Sequence, residues 1–345
     1  MIFQLVIMNT TLDLLDKFSG TILGVAIGDT LGQPFEGWLR EKIQSKVNNF
    51  QEFVMKNKKL FNSYTDDTQL TIHTARALIE GTGFNIDNFV KAYVNWLDDP
   101  PIGPGYGCLI SIKKLKYGIP WKEAASNSGG NGTAMRISPI GLFYINEPEE
   151  LKKVAYQSSL ITHSHPAAAA SAIVVACAIS YLASKNPEEG FSIDEFFNTI
   201  IDSIANSHEP IWNEFISILK KVKENVGTPT NSGLIKFSQI GVKSPFFIEE
   251  YFGKAFVHPY AISTVACAIF IFINKLNSFE ECIYELAGAG GDSDTVGAIG
   301  GSLAGAYFGM KNIPIELVDL LKNKKLILKV SEELYQKFKE RNHTH

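Results

Sequence analysis

Thr65-Asp66-Asp67-Thr68 and Asp292-Ser293-Asp294-Thr295 each place two carboxylates and two hydroxyls within four residues. Each leads directly into a helix-like apolar stretch, and the second follows Gly288-Ala289-Gly290-Gly291. Carboxylate and hydroxyl oxygens are hard donors, suited to Mg²⁺, Mn²⁺ or Ca²⁺ rather than Zn²⁺. A single carboxylate explains a helix N-cap, where free N–H groups favour anions. Two adjacent carboxylates flanked by threonine hydroxyls exceed what a cap needs. Four clustered carboxylates repel one another unless a cation or a proton neutralises them. A fold that brings the two clusters together therefore makes a one- or two-metal site.

Other segments carry further candidates. Glu36 sits in Gln33-Pro34-Phe35-Glu36-Gly37-Trp38, beside apolar rings that can raise its pKa into a range useful for acid–base work. Asp29, in the same stretch, reads as a structural residue bonding backbone groups at a helix end. Two glycine-rich stretches offer backbone N–H groups to a phosphate. One is Gly103-Pro104-Gly105-Tyr106-Gly107; the other runs Ser128-Gly129-Gly130-Asn131-Gly132-Thr133. Neither matches a Walker loop, and neither follows a convincing strand. Tyr106 is placed either to stack on a base or to fill the core. In Thr162-His163-Ser164-His165-Pro166 the two histidines are too close for paired ligands on one helical face, so at most one, His163, is read as a site residue.

Helices must position these groups. Apolar periodicity predicts helices over Thr68–Gly81, Asn85–Leu97, Leu151–Ile161, Pro166–Ser184, Ile193–Asn206 and Ile211–Glu224. It predicts more over Ala261–Leu276, Ser278–Ala287, Thr295–Phe308 and Glu332–Arg341. The small-residue run before Asp29 also reads as a helix. Asp66 with Gln69 makes a D-x-x-Q capping pattern, and Pro166 and Pro259 fit first-turn positions. No alternating β-branched runs appear, so the fold class is all-α. Val-Ala-Cys-Ala-Ile occurs at 175–179 and 265–269, each time after a His-Pro pair, and reads as two alanine-rich core helices.

Composition bounds the rest. The chain has 345 residues, 45% hydrophobic and 20% charged, which is globular. No linker or low-complexity tract divides it, so residues 1–345 are read as one domain. The net charge of −4, with scattered Lys and Arg, argues against a nucleic-acid surface. The four cysteines form no CxxC pair and read as buried thiols in a reducing compartment. The start, Met1 onward, lacks a basic region and cleavage site and is a poor secretory signal. The uncharged run Ala167–Ala183 reads as a buried helix rather than a membrane span. Lys56–Lys59 and the tail after Asn342 read as solvated surface. A cytoplasmic protein is expected.

In this order, GVAIGDTLGQPFE, YTDDTQLT, GNGTAMRISPIGL, THSHP and GGDSDTVGAIGGSLAGAYFG resemble the ADP-ribosylglycohydrolase family over about residues 20–321. The resemblance implies a compact, orthogonal helical bundle with a centre of two divalent cations, Mg²⁺ or Mn²⁺. By motif position it implies Thr65, Asp66, Asp67, Asp292, Asp294 and Thr295 as ligands. It implies ADP-ribose as the bound group, with Ser128 to Ala134 along the diphosphate and His163 near the distal ribose. Gly103, Gly105, Tyr106, Ser128, Gly130, Asn131, Gly132, Thr133 and His163 are thus the substrate-binding candidates. The reaction implied is hydrolysis of an N- or O-glycosidic bond to an ADP-ribosylated protein or small acceptor. Glu36, Asp66, Asp67 and Asp294 are the catalytic candidates, and the general base stays open among Glu36, Asp66 and Asp294. Some arginine-directed members carry an acidic residue just before the Ile-Gly of the first glycine-rich loop. Here that position is Pro101, so an arginine preference does not carry over.

The alternative is an ADP-ribose-binding module, or an immunity-like partner-binding protein, with reduced or no catalysis. The paired clusters favour an enzyme, because a binder need not keep four aspartates together. An occluding partner needs a long extension or an exposed apolar patch, and Met1–Leu12 offers little material for one.

Overall fold

Gly20, Gly24, Gly28 and Gly32 recur every four residues along the N-terminal helix, Ile2–Gly32. That spacing stacks them on one helical face. Opposite them run Gly305, Gly301, Gly297 and Ser293 of the helix Ser293–Phe308, in antiparallel order. A Cβ at Gly24 would lie 2.0 Å from the Gly301 carbonyl oxygen, and one at Gly28 would lie 1.9 Å from that of Gly297. Backbone therefore meets backbone along the seam, closer than two helices separated by side chains can come.

The computed structural model describes the backbone of residues 2–205 and 207–343, with side chains from Leu14 onward. The expectations resting on Met1, on Asn206 as a helix end and on the tail at 344–345 lie outside the described residues. The Ser293 helix is buried along its whole length. Around it pack Phe279–Ala287, Ala261–Ile273 and Pro166–Ala183. A helix covered on all sides needs no polar face, which explains the near-absence of charge after Asp294. Pro166–Ala183 is long and apolar enough to cross a membrane, but 83% of it is buried inside the fold.

The fold is all-α, and no strand occurs among the described residues. Each segment expected to be helical contains a helix, with ends shifted by a few residues. The last begins at Lys324 rather than Glu332. Four isolated bridges, Trp38–Gly291, Val257–Gly291, Gly130–Tyr260 and Ser126–His163, pin loops to one another at one end of the bundle. The helices Arg40–Lys46, Phe50–Lys56, Tyr106–Lys116 and Thr230–Phe237 had no predicted counterpart, nor did the short Trp121–Ala124, Ser138–Phe143 and Ile315–Leu320.

Two start signals need correction. Asp66 and Gln69 form no capping box. Thr65 is the N-cap, and the Gln69 amide instead braces the next loop, accepting from Trp96 Nε1 at 3.0 Å and donating to the Pro100 carbonyl at 3.1 Å. Pro166 opens its helix as expected, but Pro259 precedes the cap Tyr260 and stays outside the first turn.

The seam predicts an inverted substitution effect. Ala in place of a mid-helix Gly ordinarily gains up to about 1 kcal/mol. Gly28→Ala should instead lose about 3 kcal/mol, because its methyl meets backbone that cannot rotate away. Gly105→Ala, with nothing within 4 Å, should stay within about 0.5 kcal/mol of wild type. Urea midpoints compare them; a Gly28→Ala chain as resistant as wild type would contradict the packing.

Candidate active site

Two helix N-termini supply the acidic groups. The helix Asp66–Gly81 begins at Thr65, whose hydroxyl accepts from the Asp67 N–H. Asp29, one turn before the end of the N-terminal helix, caps the same terminus from outside. Its carboxylate accepts from the Thr65 N–H at 3.0 Å, the Thr68 N–H at 3.1 Å and the Thr68 hydroxyl at 2.6 Å. The Asp66 N–H donates to the Ile102 carbonyl at 2.8 Å, which draws the first glycine-rich loop over the cluster. The Ser293 helix is set by the turn before it. Gly290 and Gly291 have φ of +83° and +71°, and a Cβ at Gly291 would lie 2.2 Å from the Val257 carbonyl oxygen. Only glycine fits that turn, which delivers Asp292 and Asp294 to the site.

The clusters meet. Asp67 Oδ2 accepts from the Thr65 hydroxyl at 3.0 Å and the Thr295 hydroxyl at 3.4 Å, so one carboxylate joins both motifs. Oxygens of Asp29, Asp67 and Asp294 lie within 4.8 Å of one another, as do those of Glu36, Asp292 and Asp294. Among the described ion pairs, no Lys or Arg pairs with any of these acids. Burial accordingly pushes their pKa values up. Asp29 rises to about 6 against its hydrogen bonds, and Asp66 to about 8 through burial and the charge of Asp29. Asp67 and Asp294 rise well above the ordinary carboxylate range, first through burial and then through neighbouring aspartates. Glu36 rises through burial and the nearby Asp292.

This donor set fits divalent cations. Asp67 Oδ1 is buried without a hydrogen-bond partner, an orphan that a cation would satisfy. The oxygens are hard, and none of the described ion pairs brings a Lys or Arg to them. Asp29 differs in being the anchor of the Thr65–Thr68 turn, which bonds chiefly to its Oδ2, while its oxygens still lie within reach of Asp67 and Asp294.

Above the acids opens a cavity of about 790 Å³. Glu36, Asp66, Asp67, Asp292, Asp294 and Thr295 form its acidic end. Gly103, Gly105 and Tyr106 line one side, with Tyr106 81% exposed at the mouth, which excludes a core role for it. Ser128, Gly130, Asn131, Gly132 and His163 line another. Two sequence candidates stand off the wall. Thr133 is fully buried and its hydroxyl donates to the Ala168 carbonyl, while Thr65 is buried beneath the first glycine-rich loop. Asn131 is only partly free for a ligand, since its amide donates to both Thr264 and Asp292.

Sequence reading missed His258, Tyr260, Gly241, Val242, Lys243, Ser244 and Phe246, all of which line the cavity, and it set His165 aside as a cap or core contact; His165 does cap a helix, and it lines the cavity as well. The repeated His-Pro pair was a signal for two of them. His165 Nδ1 accepts from the Ala167 N–H, and His258 Nδ1 accepts from the Tyr260 N–H, so each imidazole braces the start of one alanine-rich helix.

Comparison with known proteins matches this architecture. A profile of the ADP-ribosylglycohydrolase family matches residues 10–344. The ADP-ribosyl-dinitrogen reductase glycohydrolase of Rhodospirillum rubrum is 22% identical over 324 residues, covering 92% of this chain and 93% of its own. ADP-ribosylhydrolase ARH3 of Homo sapiens is 25% identical over 328 residues, covering 87% of each. A solved chain described as an ADP-ribosylglycohydrolase-related protein complex superposes with a TM-score of 0.70 at 23% identity, covering 94% of this chain and 98% of that one. That structure shows a shared fold.

The charge balance predicts a pH- and metal-dependent stability. With raised pKa values the metal-free folded state holds protons that the unfolded chain has released, so stability falls as pH rises from about 4 towards the value near 8 of Asp66. Mn²⁺ or Mg²⁺ at a hundredfold excess over its Kd should add roughly 2.7 kcal/mol at pH 8. Calorimetry with and without EDTA checks this. Identical unfolding curves in EDTA, Mg²⁺ and Mn²⁺ would remove the metal reading.

Proposed function

The chain belongs to the ADP-ribosylglycohydrolase family, and from that premise we propose that it is a metal-dependent hydrolase releasing ADP-ribose from an ADP-ribosylated protein or small acceptor. One observation carries the reading. Two acidic motifs more than two hundred residues apart share the carboxylate of Asp67 at the floor of a cavity large enough for a nucleotide sugar.

Asp66, Asp67, Asp292 and Asp294, with the Thr65 and Thr295 hydroxyls, are the residues that would hold two divalent cations, Mg²⁺ or Mn²⁺. Such cations, when bound, orient ribose hydroxyls and lower the pKa of water. The protein's own groups do the rest. Negative charge left on the carboxylates beyond what the cations balance would favour the oxocarbenium character of glycosidic cleavage. Glu36 is the acid of the cluster with the most solvent access, and its raised pKa suits it to proton transfer. It takes the proton of the attacking water as the new C–O bond forms at the anomeric carbon. The bond to the acceptor breaks with its electron pair leaving on the nitrogen or oxygen, which takes up the proton that Glu36 has collected, so that Glu36 is restored and one water has been added. Free ADP-ribose results. The wall of Ser128 to Gly132 offers backbone and hydroxyl donors to the diphosphate.

Because Pro101 stands where an acid could face a guanidinium, the acceptor is not restricted here to arginine. Four buried, unpaired cysteines support a reducing, cytoplasmic setting.

The test is a release assay with ADP-ribosyl-arginine, ADP-ribosyl-serine and poly(ADP-ribose), each with Mg²⁺, Mn²⁺ or EDTA. Free ADP-ribose should appear from at least one substrate and vanish with EDTA. Glu36→Gln should lower kcat about 10²- to 10⁴-fold while leaving ADP-ribose binding measurable. Asp67→Ala and Asp294→Ala should lose turnover altogether. No product from any substrate with any metal would overturn the reading.

A further inference from the structure

Arg136 is a buried cation without an acidic partner. It is 1% exposed, and its hydrogen bonds go to four neutral acceptors: the Tyr93 hydroxyl, the Cys108 sulfur, the Gly132 carbonyl and the Thr162 hydroxyl. The Cys108 thiol, pushed up to about 11 by burial, adds no negative charge. The guanidinium is held in the core by these bonds and by the face of the Tyr93 ring, 4.6 Å from its Cζ, with no carboxylate among its partners. Its strongest contact, 2.6 Å to Thr162 Oγ1, leads outward. Thr162 Oγ1 in turn lies 2.8 Å from His163 Nδ1.

Proton inventory fixes the direction of this chain. Arginine can only donate, so the Thr162 oxygen accepts from it. If His163 Nδ1 also carried a proton, the Thr162 oxygen would accept from both donors and its own proton would turn to the Cys108 sulfur, a weaker acceptor than an imidazole nitrogen. The consistent arrangement has Thr162 donating to Nδ1. His163 is then neutral, with its proton on Nε2. The same burial and the Arg136 charge lower its pKa to about 3, which agrees with a neutral ring.

His163 is only 2% exposed, and its Nε2 edge reaches the cavity between two glycines. A Cβ at Gly107 would lie 3.4 Å from His163 Nε2, and one at Gly132 would lie 3.0 Å from Cε1 and 3.4 Å from Nε2. All three residues line the cavity.

We propose that Arg136 and Thr162 are positioning residues that lock His163 as an Nε2–H donor aimed at an acceptor oxygen of ADP-ribose. The relay rests on the proposed function, which places that ligand in the cavity. Each bond polarises the next, so a buried cation strengthens a donor at the wall without itself touching ligand. The relay also supplies positive potential to a cavity whose other end is acidic.

The experiment combines ¹⁵N imidazole spectra with calorimetric titration of ADP-ribose and ADP into wild type, Thr162→Val and Thr162→Ser. Wild type should show a pyridine-like Nδ1 and a pyrrole-like Nε2 at His163. Thr162→Val should redistribute the tautomers and weaken ADP-ribose binding roughly tenfold. Thr162→Ser, which keeps the hydroxyl, should restore both. Weakening towards ADP-ribose alone assigns the oxygen to the distal ribose; equal weakening towards ADP assigns it to the diphosphate. A protonated Nδ1 in wild type, or a folded Thr162→Val chain that binds both ligands as wild type does, would overturn the relay. If Thr162→Val fails to fold, the wild-type spectrum still decides. Failure of wild type to bind ADP-ribose at all would sink the proposed function instead, while the spectrum would still report the tautomer.

Discussion

The seam between the N-terminal helix and the Ser293 helix sets the register on which the site depends. Because backbone faces backbone, no side chain can adjust to absorb a slip. Moving one helix by a residue would drive a Cβ into a carbonyl. The same contact carries the chemistry at its end: Asp29 lies one turn before Gly32, and Asp294 is the second residue of the partner helix. The Ser293 hydroxyl closes the seam by donating to the Gly32 carbonyl at 3.0 Å. Rigid packing in the core thus becomes a fixed separation between carboxylates from opposite ends of the sequence.

Those carboxylates sit where helix N-termini favour anions, but each terminus contributes only about 0.3–1 kcal/mol. Burial of several like charges outweighs that. The raised pKa values of Asp66, Asp67 and Asp294 express the imbalance, and a proton or a divalent cation resolves it. The rest of the lining is built mainly from neutral donors and glycine backbone, with Lys243 among them and the buried Arg136 behind. The cavity is therefore polarised along its length. One end suits cations and sugar hydroxyls, the other the oxygens of a phosphate-bearing ligand.

How legible this was depended on how local each signal is. The Thr65–Thr68 and Asp292–Thr295 clusters could be read because cap chemistry and ligand chemistry both show within four residues. The helices could be read from apolar period. Gln69 was misassigned because a capping pattern and a brace to a distant loop use the same amide, and only Trp96 and Pro100 decide between them. Thr133 lies in a loop of ligand-facing residues, yet the chain turns there and its hydroxyl finds the Ala168 carbonyl. The stretch from Gly241 to Phe246 reaches the cavity through tertiary placement alone, and no residue type in it announces a site. The repeated His-Pro pairs carried more than core packing. The two alanine-rich helices they introduce lie against each other, so equivalent N-termini arrive at the same cavity.

Glycine serves two opposite purposes in this architecture. In the seam its missing side chain lets backbones close on each other; on the cavity wall it keeps surfaces open. A Cβ at Gly129 would lie 2.8 Å from the Tyr260 ring, one at Gly107 would lie 2.8 Å from Ser128 Cβ, and one at Gly132 would lie 3.0 Å from His163 Cε1. Asn131 stands among these glycines because its side chain ties the donor wall to Asp292 on the acidic floor. A substitution in this loop therefore acts in two ways at once, by covering a donor and by loosening a candidate ligand. At Asn131 the second effect is direct, because the amide that faces the cavity is the one that holds Asp292 and Thr264.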